Sequence, residues 1–175
     1  YSVTSVDFEL LDKIFSIYIC SLIFTIFAIS GVSNSINIID GFNGLASGSL
    51  IIILSTFALI GWFVSDSLIY NFSLLFIFIL LGFFLVNFPK GHIFLGDGGA
   101  YFCGFFLATI AIMLVERNKE LSPWLSLLIC LYPIFETMFS ILRKYRRKGH
   151  HPSKPDGLHL HMLVYRDISR KLSKS

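Results

Sequence analysis

Charge is scarce in this sequence. Only 14% of its 175 residues are Asp, Glu, Lys or Arg, against about a quarter in a soluble domain. With 55% hydrophobic residues and a mean hydropathy of +0.75, that scarcity excludes an ordinary soluble globular domain. Cysteine is sparse as well: Cys20, Cys103 and Cys130 stand far apart in apolar runs, with no Cys-x-x-Cys. They read as small buried hydrophobes, not as disulfide or metal partners. There is no internal repeat, no low-complexity segment and no signal-peptide pattern before the first apolar run. Period-2 alternation is missing, so a membrane β-barrel is excluded. The first residue is Tyr1 and not Met, and the sequence reads as the C-terminal part of a longer gene product.

Long apolar runs are what the chain does have. They predict an all-α polytopic membrane protein with five spans, about Leu11 to Val32, Leu45 to Val64, Leu68 to Phe88, Ala100 to Val115 and Trp124 to Leu142. Each is near the ~20 residues needed to cross ~30 Å of hydrocarbon, and helices are the open-chain way to satisfy the backbone there. Residues 1–142 then form a transmembrane domain carrying polar motifs at 34–46 and 87–99, and residues 143–175 form a basic, histidine-containing tail.

The tail sets the orientation. Ten of the 14 Lys and Arg residues lie from Arg143 onward. Beside a hydrophobic helix such a cluster marks a cytoplasmic surface with anionic lipid. Apart from Tyr145 and Tyr165 the aromatic residues sit in the apolar runs and not in this cluster, which argues against nucleic acid. Counting crossings backward from the tail puts three polar, glycine-rich segments on that same side: Asn34 to Gly44, Phe94 to Gly99, and His150 to His161. Convergence of that kind builds one site at a membrane surface.

Each segment has chemistry to offer. Asp97, in Gly96-Asp97-Gly98-Gly99, is a carboxylate at a span entrance, where acidic groups are costly and usually functional. Its glycines allow close backbone approach, and the start of the next helix offers N–H groups to an anion. A carboxylate beside such a cradle suits Mg²⁺ bridging to phosphate; a plain helix cap is the alternative. Asn34, Asn37 and Asp40 recur every third residue, on one helical face. An amide and carboxylate stripe suits metal, ribose or base recognition. Turn chemistry accounts for Asp40-Gly41 and Asn43-Gly44, but not for Asn34 and Asn37. In the tail, His150, His151, His159 and His161 lie among Arg and Lys and suit a pyrophosphate. Zinc lacks a neighbouring cysteine to complete its site, and a solvated tail on anionic lipid is the alternative.

Together these segments resemble the polyprenyl-phosphate N-acetylhexosamine-1-phosphate transferases, the superfamily of the phospho-N-acetylmuramoyl-pentapeptide translocase and of enzymes that start O-antigen, teichoic acid and enterobacterial common antigen synthesis. Asn-x-x-Asn-x-x-Asp-Gly-x-x-Gly-Leu-Ala is present as Asn34 to Ala46, Phe-x-Gly-Asp-x-Gly as Phe94 to Gly99 with Asn87 upstream, and Pro-Asp-x-x-His-x-His as Pro155 to His161. The resemblance covers nearly the whole chain. It implies transfer of an N-acetylhexosamine-1-phosphate from a UDP-sugar to undecaprenyl or another polyprenyl phosphate, with release of UMP. Such a step initiates bacterial surface polysaccharide, lipopolysaccharide or cell-wall glycan synthesis at the inner membrane. The implied cofactor is Mg²⁺ or Mn²⁺, held by Asp97 and Asn37. The resemblance places Asp97, Asp40 and His159 in catalysis. It places Asn34, Asp40, Asn43, Asn87 and Phe94 at the nucleotide-sugar, and His159 and His161 at the diphosphate. It admits a homodimer.

Three departures from the pattern stand out. Members carry an Asp-Asp pair in an earlier loop and about twice as many spans; here no two Asp residues are adjacent. Asn43 and Met162 stand where many members have Asp and His. An inactive C-terminal fragment, or a non-enzymatic membrane module that binds nucleotide-sugar or lipid, is the alternative reading. A transporter half would place polar residues near mid-span, and a CDP-alcohol phosphotransferase would need more Asp residues soon after Asp40.

Overall fold

The apolar runs fold as helices, and no strand occurs among the described residues. The computed structural model describes residues 1–146 and 162–167, apart from the side chains of Lys144 and Arg146. Seven helices follow in order: α1 (Glu9–Phe15), α2 (Tyr18–Ile39), α3 (Leu45–Phe63), α4 (Ser67–Asn87), α5 (Gly96–Arg117), α6 (Pro123–Ile129) and α7 (Leu131–Arg146). A short helix covers 162–167. Helices α2 to α5 are each long and apolar enough to cross a membrane, and the bent pair α6 and α7 adds a fifth crossing if the two together form one span.

The packing is that of a bundle in lipid. Large apolar side chains such as Phe27, Phe63, Phe78 and Leu85 point outward. Several small polar ones are buried between helices: Ser21, Thr25, Ser33, Ser35, Ser47 and Ser73. Lipid supplies no hydrophobic drive between helices, so small residues that let backbones approach do this work. Helix α3 pairs with α4, and α2 with α5. At the second pair, a Cβ on Gly104 would come within 2.5 Å of the Ser33 Cα, so only glycine fits. Their shared core contains Ile36, Leu50, Leu54, Phe57, Leu107 and Leu114.

The first and fifth spans differ most from the sequence expectation, and the fourth starts at Gly96 and not at Ala100. The first span begins at Tyr18 and not at Leu11, and runs to Ile39 instead of ending at Val32. Glu9, Asp12 and Lys13 keep the preceding turn out of the apolar layer as the separate helix α1, where Asp12 accepts hydrogen bonds from the Ser5 hydroxyl and the Val6 N–H. Where a single fifth span is expected there are two helices, bent by 76° around Cys130. Pro133 has no N–H for the Ile129 carbonyl and its ring crowds that position, so α6 stops and α7 starts afresh. Helix α7 also continues past Leu142, to Arg146.

The end of the bundle that carries the α3–α4 turn is tied by polar contacts. Asp66 caps α4 through Leu68 and Ile69 N–H groups, and accepts from Arg117 Nε at 2.7 Å and Asn118 Nδ2 at 3.1 Å. Residues 3 and 4 lie across α2 and α5: Val3 N donates to Thr25 Oγ1, and Thr4 N donates to Glu116 Oε1. An apolar cavity of about 290 Å³ lies between this segment, α2, α5 and α6, lined by Val3, Phe24, Val32, Ala108 and Trp124 among others.

Candidate active site

The opposite end of the bundle gathers the C-terminus of α2, the α2–α3 turn, the α4–α5 loop and the N-terminus of α5. Gly41 ends α2, its N–H donating to the Ile39 carbonyl in a tight turn with Asp40 at the C-cap. Gly44 starts α3 at φ +78°, a left-handed conformation that suits glycine. The crossing order that brings both motifs to one end is as the apolar runs require.

Asn37 and Asp97 meet there. Asn37 Nδ2 donates to Asp97 Oδ1 at 3.0 Å. Asp97 is the second residue of α5, in its first turn, and makes no side-chain cap; the helix dipole favours a negative group at that place. Asp40 lies one helical turn beyond Asn37. Burial raises its carboxyl above the usual range, and the negative charge of Asp97 raises it further. Two carboxylates are thus close enough to repel, with one amide fixing the orientation of the second.

The other expected site residues fall into two groups. Asn87 is only 5% exposed, and its amide holds the loops together. Its Oδ1 accepts from Gly44 N at 2.6 Å, and its Nδ2 donates to the Ile93 carbonyl at 2.6 Å. Asn43 acts similarly, Nδ2 donating to the Pro89 carbonyl at 3.1 Å. Asn34 and Phe94 are open instead. Asn34 is exposed and makes no side-chain hydrogen bond to a described residue, while the Phe94 ring is 74% exposed beside the start of α5. His159 and His161 lie outside the described residues.

Sequence reading passed over two features. Glu136 in α7 is 5% exposed, in a helix that packs on α2; an acidic residue within an apolar run was the available signal. Phe42 packs against Tyr165, a contact between distant residues that no local pattern announces.

Among the described residues, no three His, Cys, Asp or Glu side chains cluster as a metal site. The oxygens of Asp97, Asp40 and Asn37 are nonetheless hard donors of the type Mg²⁺ takes. That ion needs only one or two carboxylates when phosphate and water complete its shell, and the repulsion on Asp40 is what a cation would relieve. The donor set fits.

Residues 1–115 match the family model described as glycosyl transferase family 4. Over 152 residues the chain is 37% identical to the "Probable undecaprenyl-phosphate N-acetylglucosaminyl 1-phosphate transferase" of Bacillus subtilis, covering 85% of this chain and 42% of that protein. It is 36% identical over 141 residues to the phospho-N-acetylmuramoyl-pentapeptide-transferase of Lactobacillus gasseri, covering 79% and 42%. To the protein of that name from Staphylococcus carnosus it is 32% identical over 142 residues, covering 80% and 42%. The chain therefore spans about two fifths of the length of these curated relatives.

Proposed function

The chain belongs to glycosyl transferase family 4, and from that premise we propose that it forms part of an enzyme that transfers an N-acetylhexosamine-1-phosphate from a UDP-sugar to undecaprenyl phosphate. In that reaction an oxygen of the lipid phosphate attacks the phosphorus carrying the sugar. The bond from that phosphorus to the bridging oxygen breaks, and UMP leaves. The product serves bacterial surface polysaccharide or cell-wall glycan synthesis, with the site facing the cytoplasm.

The observation that carries this reading is the Asn37–Asp97 hydrogen bond, with Asp40 in electrostatic reach. It joins two motifs from different helices into one acidic, amide-supported site at a membrane edge, where a water-soluble nucleotide and a lipid phosphate meet. Asp97, Asp40 and Asn37 would hold Mg²⁺, which when bound neutralises charge on the transferring phosphoryl group. The chain's own groups do the positioning. Asn37 orients the Asp97 carboxylate. The exposed Phe94 ring offers a stacking face to the uracil, and Asn34 offers an amide to the nucleotide-sugar. Asn87 and Asn43 act at one remove, through the loop backbones they pin. His159 and His161 bind the diphosphate.

The test is UMP release from UDP-N-acetylglucosamine and other UDP-N-acetylhexosamines, with undecaprenyl phosphate and Mg²⁺. It is run on membranes carrying this chain alone and on membranes carrying it within a family-length protein. Release that needs the lipid phosphate supports the reading. Nucleotide-sugar binding without release in both forms supports a binding module instead.

A further inference from the structure

The turn that carries Asp40 is held unevenly. On its far side, Asn43 donates to the Pro89 carbonyl and Gly44 N donates to Asn87. On the Asp40 side the backbone bonds are local ones within the end of α2, Asp40 N to the Asn37 carbonyl at 3.4 Å and Gly41 N to the Ile39 carbonyl at 2.8 Å. Between the two stands Phe42, whose ring packs against Tyr165 of the 162–167 helix with centroids 5.5 Å apart at 41°. Phe42 is 38% and Tyr165 63% exposed, so neither belongs to the bundle core.

We propose that Tyr165 is a positioning residue for the acidic site: by packing on Phe42 it fixes the Asp40 to Gly44 turn, and so the Asp40 carboxylate beside Asp97. This deepens the proposed function and rests on it. The ring face makes the contact, since no hydrogen bond is formed by the Tyr165 hydroxyl to a described residue. A tyrosine at a membrane edge could instead anchor its helix in the lipid headgroups. That role needs an amphipathic ring and is indifferent to Phe42, which separates the two readings.

The experiment has two arms in a family-length protein. In the first, Phe42→Ala, Tyr165→Ala and the double variant are compared by UMP release. Each single change is expected to raise KM for the UDP-sugar about 2- to 10-fold, the scale of one aromatic pair, with kcat less affected. The double variant is expected to be no worse than the poorer single one, and Tyr165→Phe to restore wild-type KM. Additive losses, an unchanged Tyr165→Ala enzyme, or a Tyr165→Phe enzyme as impaired as Tyr165→Ala overturns the proposal. In the second arm, Phe42→Cys with Tyr165→Cys is cross-linked in membranes by a short bis-maleimide and read on a gel. A cross-link supports the contact whatever the activity, and its absence overturns it. An inactive wild type that still cross-links overturns the proposed function and the positioning role together, leaving the contact itself standing.

Discussion

Asp97 and Asn87 show how differently two polar residues of one motif-bearing region behave. Asp97 faces outward beside Asn37, while both ends of the Asn87 amide meet backbone. Replacing Asp97 with Asn should cut Mg²⁺-dependent transfer by about 10²-fold or more, with membrane insertion unchanged by fractionation. The like charge beside Asp40 disappears in that variant, so its carboxyl should move back toward 3.8, held above it by burial. Asn87→Ala should act on the fold instead. It strands the Gly44 N–H and the Ile93 carbonyl, at about 1–3 kcal/mol each, and should lower the unfolding midpoint in detergent. Asn87→Asp should not rescue, because a carboxylate oxygen then faces the Ile93 carbonyl. A thermal midpoint equal to wild type in both variants would contradict the pinning role. The family pattern drew attention to Asn87 and Asn43 as nucleotide-sugar contacts, but not to the loop-backbone hydrogen bonds they make. A side chain that bonds loop backbone depends on the path of a loop lacking periodicity.

At the scale of helices, the α2–α5 pair decides the site. Asn37 sits near the end of one and Asp97 at the start of the other, and the two backbones pack tightly at Gly104 against Ser33. Gly104→Ala should push the helices apart, costing about 1–3 kcal/mol as overpacking does, and should reduce transfer along with stability. A melting curve superimposable on wild type would show that the pair has slack. Helices α2 to α5 were legible as spans from apolar run length, since a ~30 Å layer imposes it. The first boundary was not, because Leu10 and Leu11 read as apolar while Asp12 and Lys13 next to them keep that turn out of the span. Nor was the 76° bend, though Pro133 was its visible cause.

For the whole molecule, the two ends do different work. The Asp66, Arg117 and Asn118 cluster binds the α3–α4 hairpin to α5. Burial alone would raise the Asp66 carboxyl, but hydrogen bonds from Arg117, Ile69 and Asn118 outweigh it and hold the carboxyl below 3.8. A depressed folded-state pKa contributes stability that is fully present above about 3.8 and is lost as pH falls through the lower folded value. Asp66→Asn should therefore flatten the acid limb of a stability–pH curve and leave activity at neutral pH nearly intact, provided folding is retained. An acid limb identical to wild type would remove Asp66 from that role. Polar motifs at the other end were predictable as a group, because an odd or even number of crossings fixes the side on which each loop emerges.

The central claim is that Asn37 and Asp97, from two motifs and two helices, act as one unit in phosphoryl transfer. A double-mutant cycle on UMP release tests it most directly, using Asn37→Ala, Asp97→Asn and the pair in a family-length protein. Asn37→Ala should lose about 10- to 100-fold, as loss of a group that orients a metal-binding carboxylate does, and should lose almost nothing more once Asp97 is gone. Multiplicative losses, or full activity in Asn37→Ala, would contradict the account.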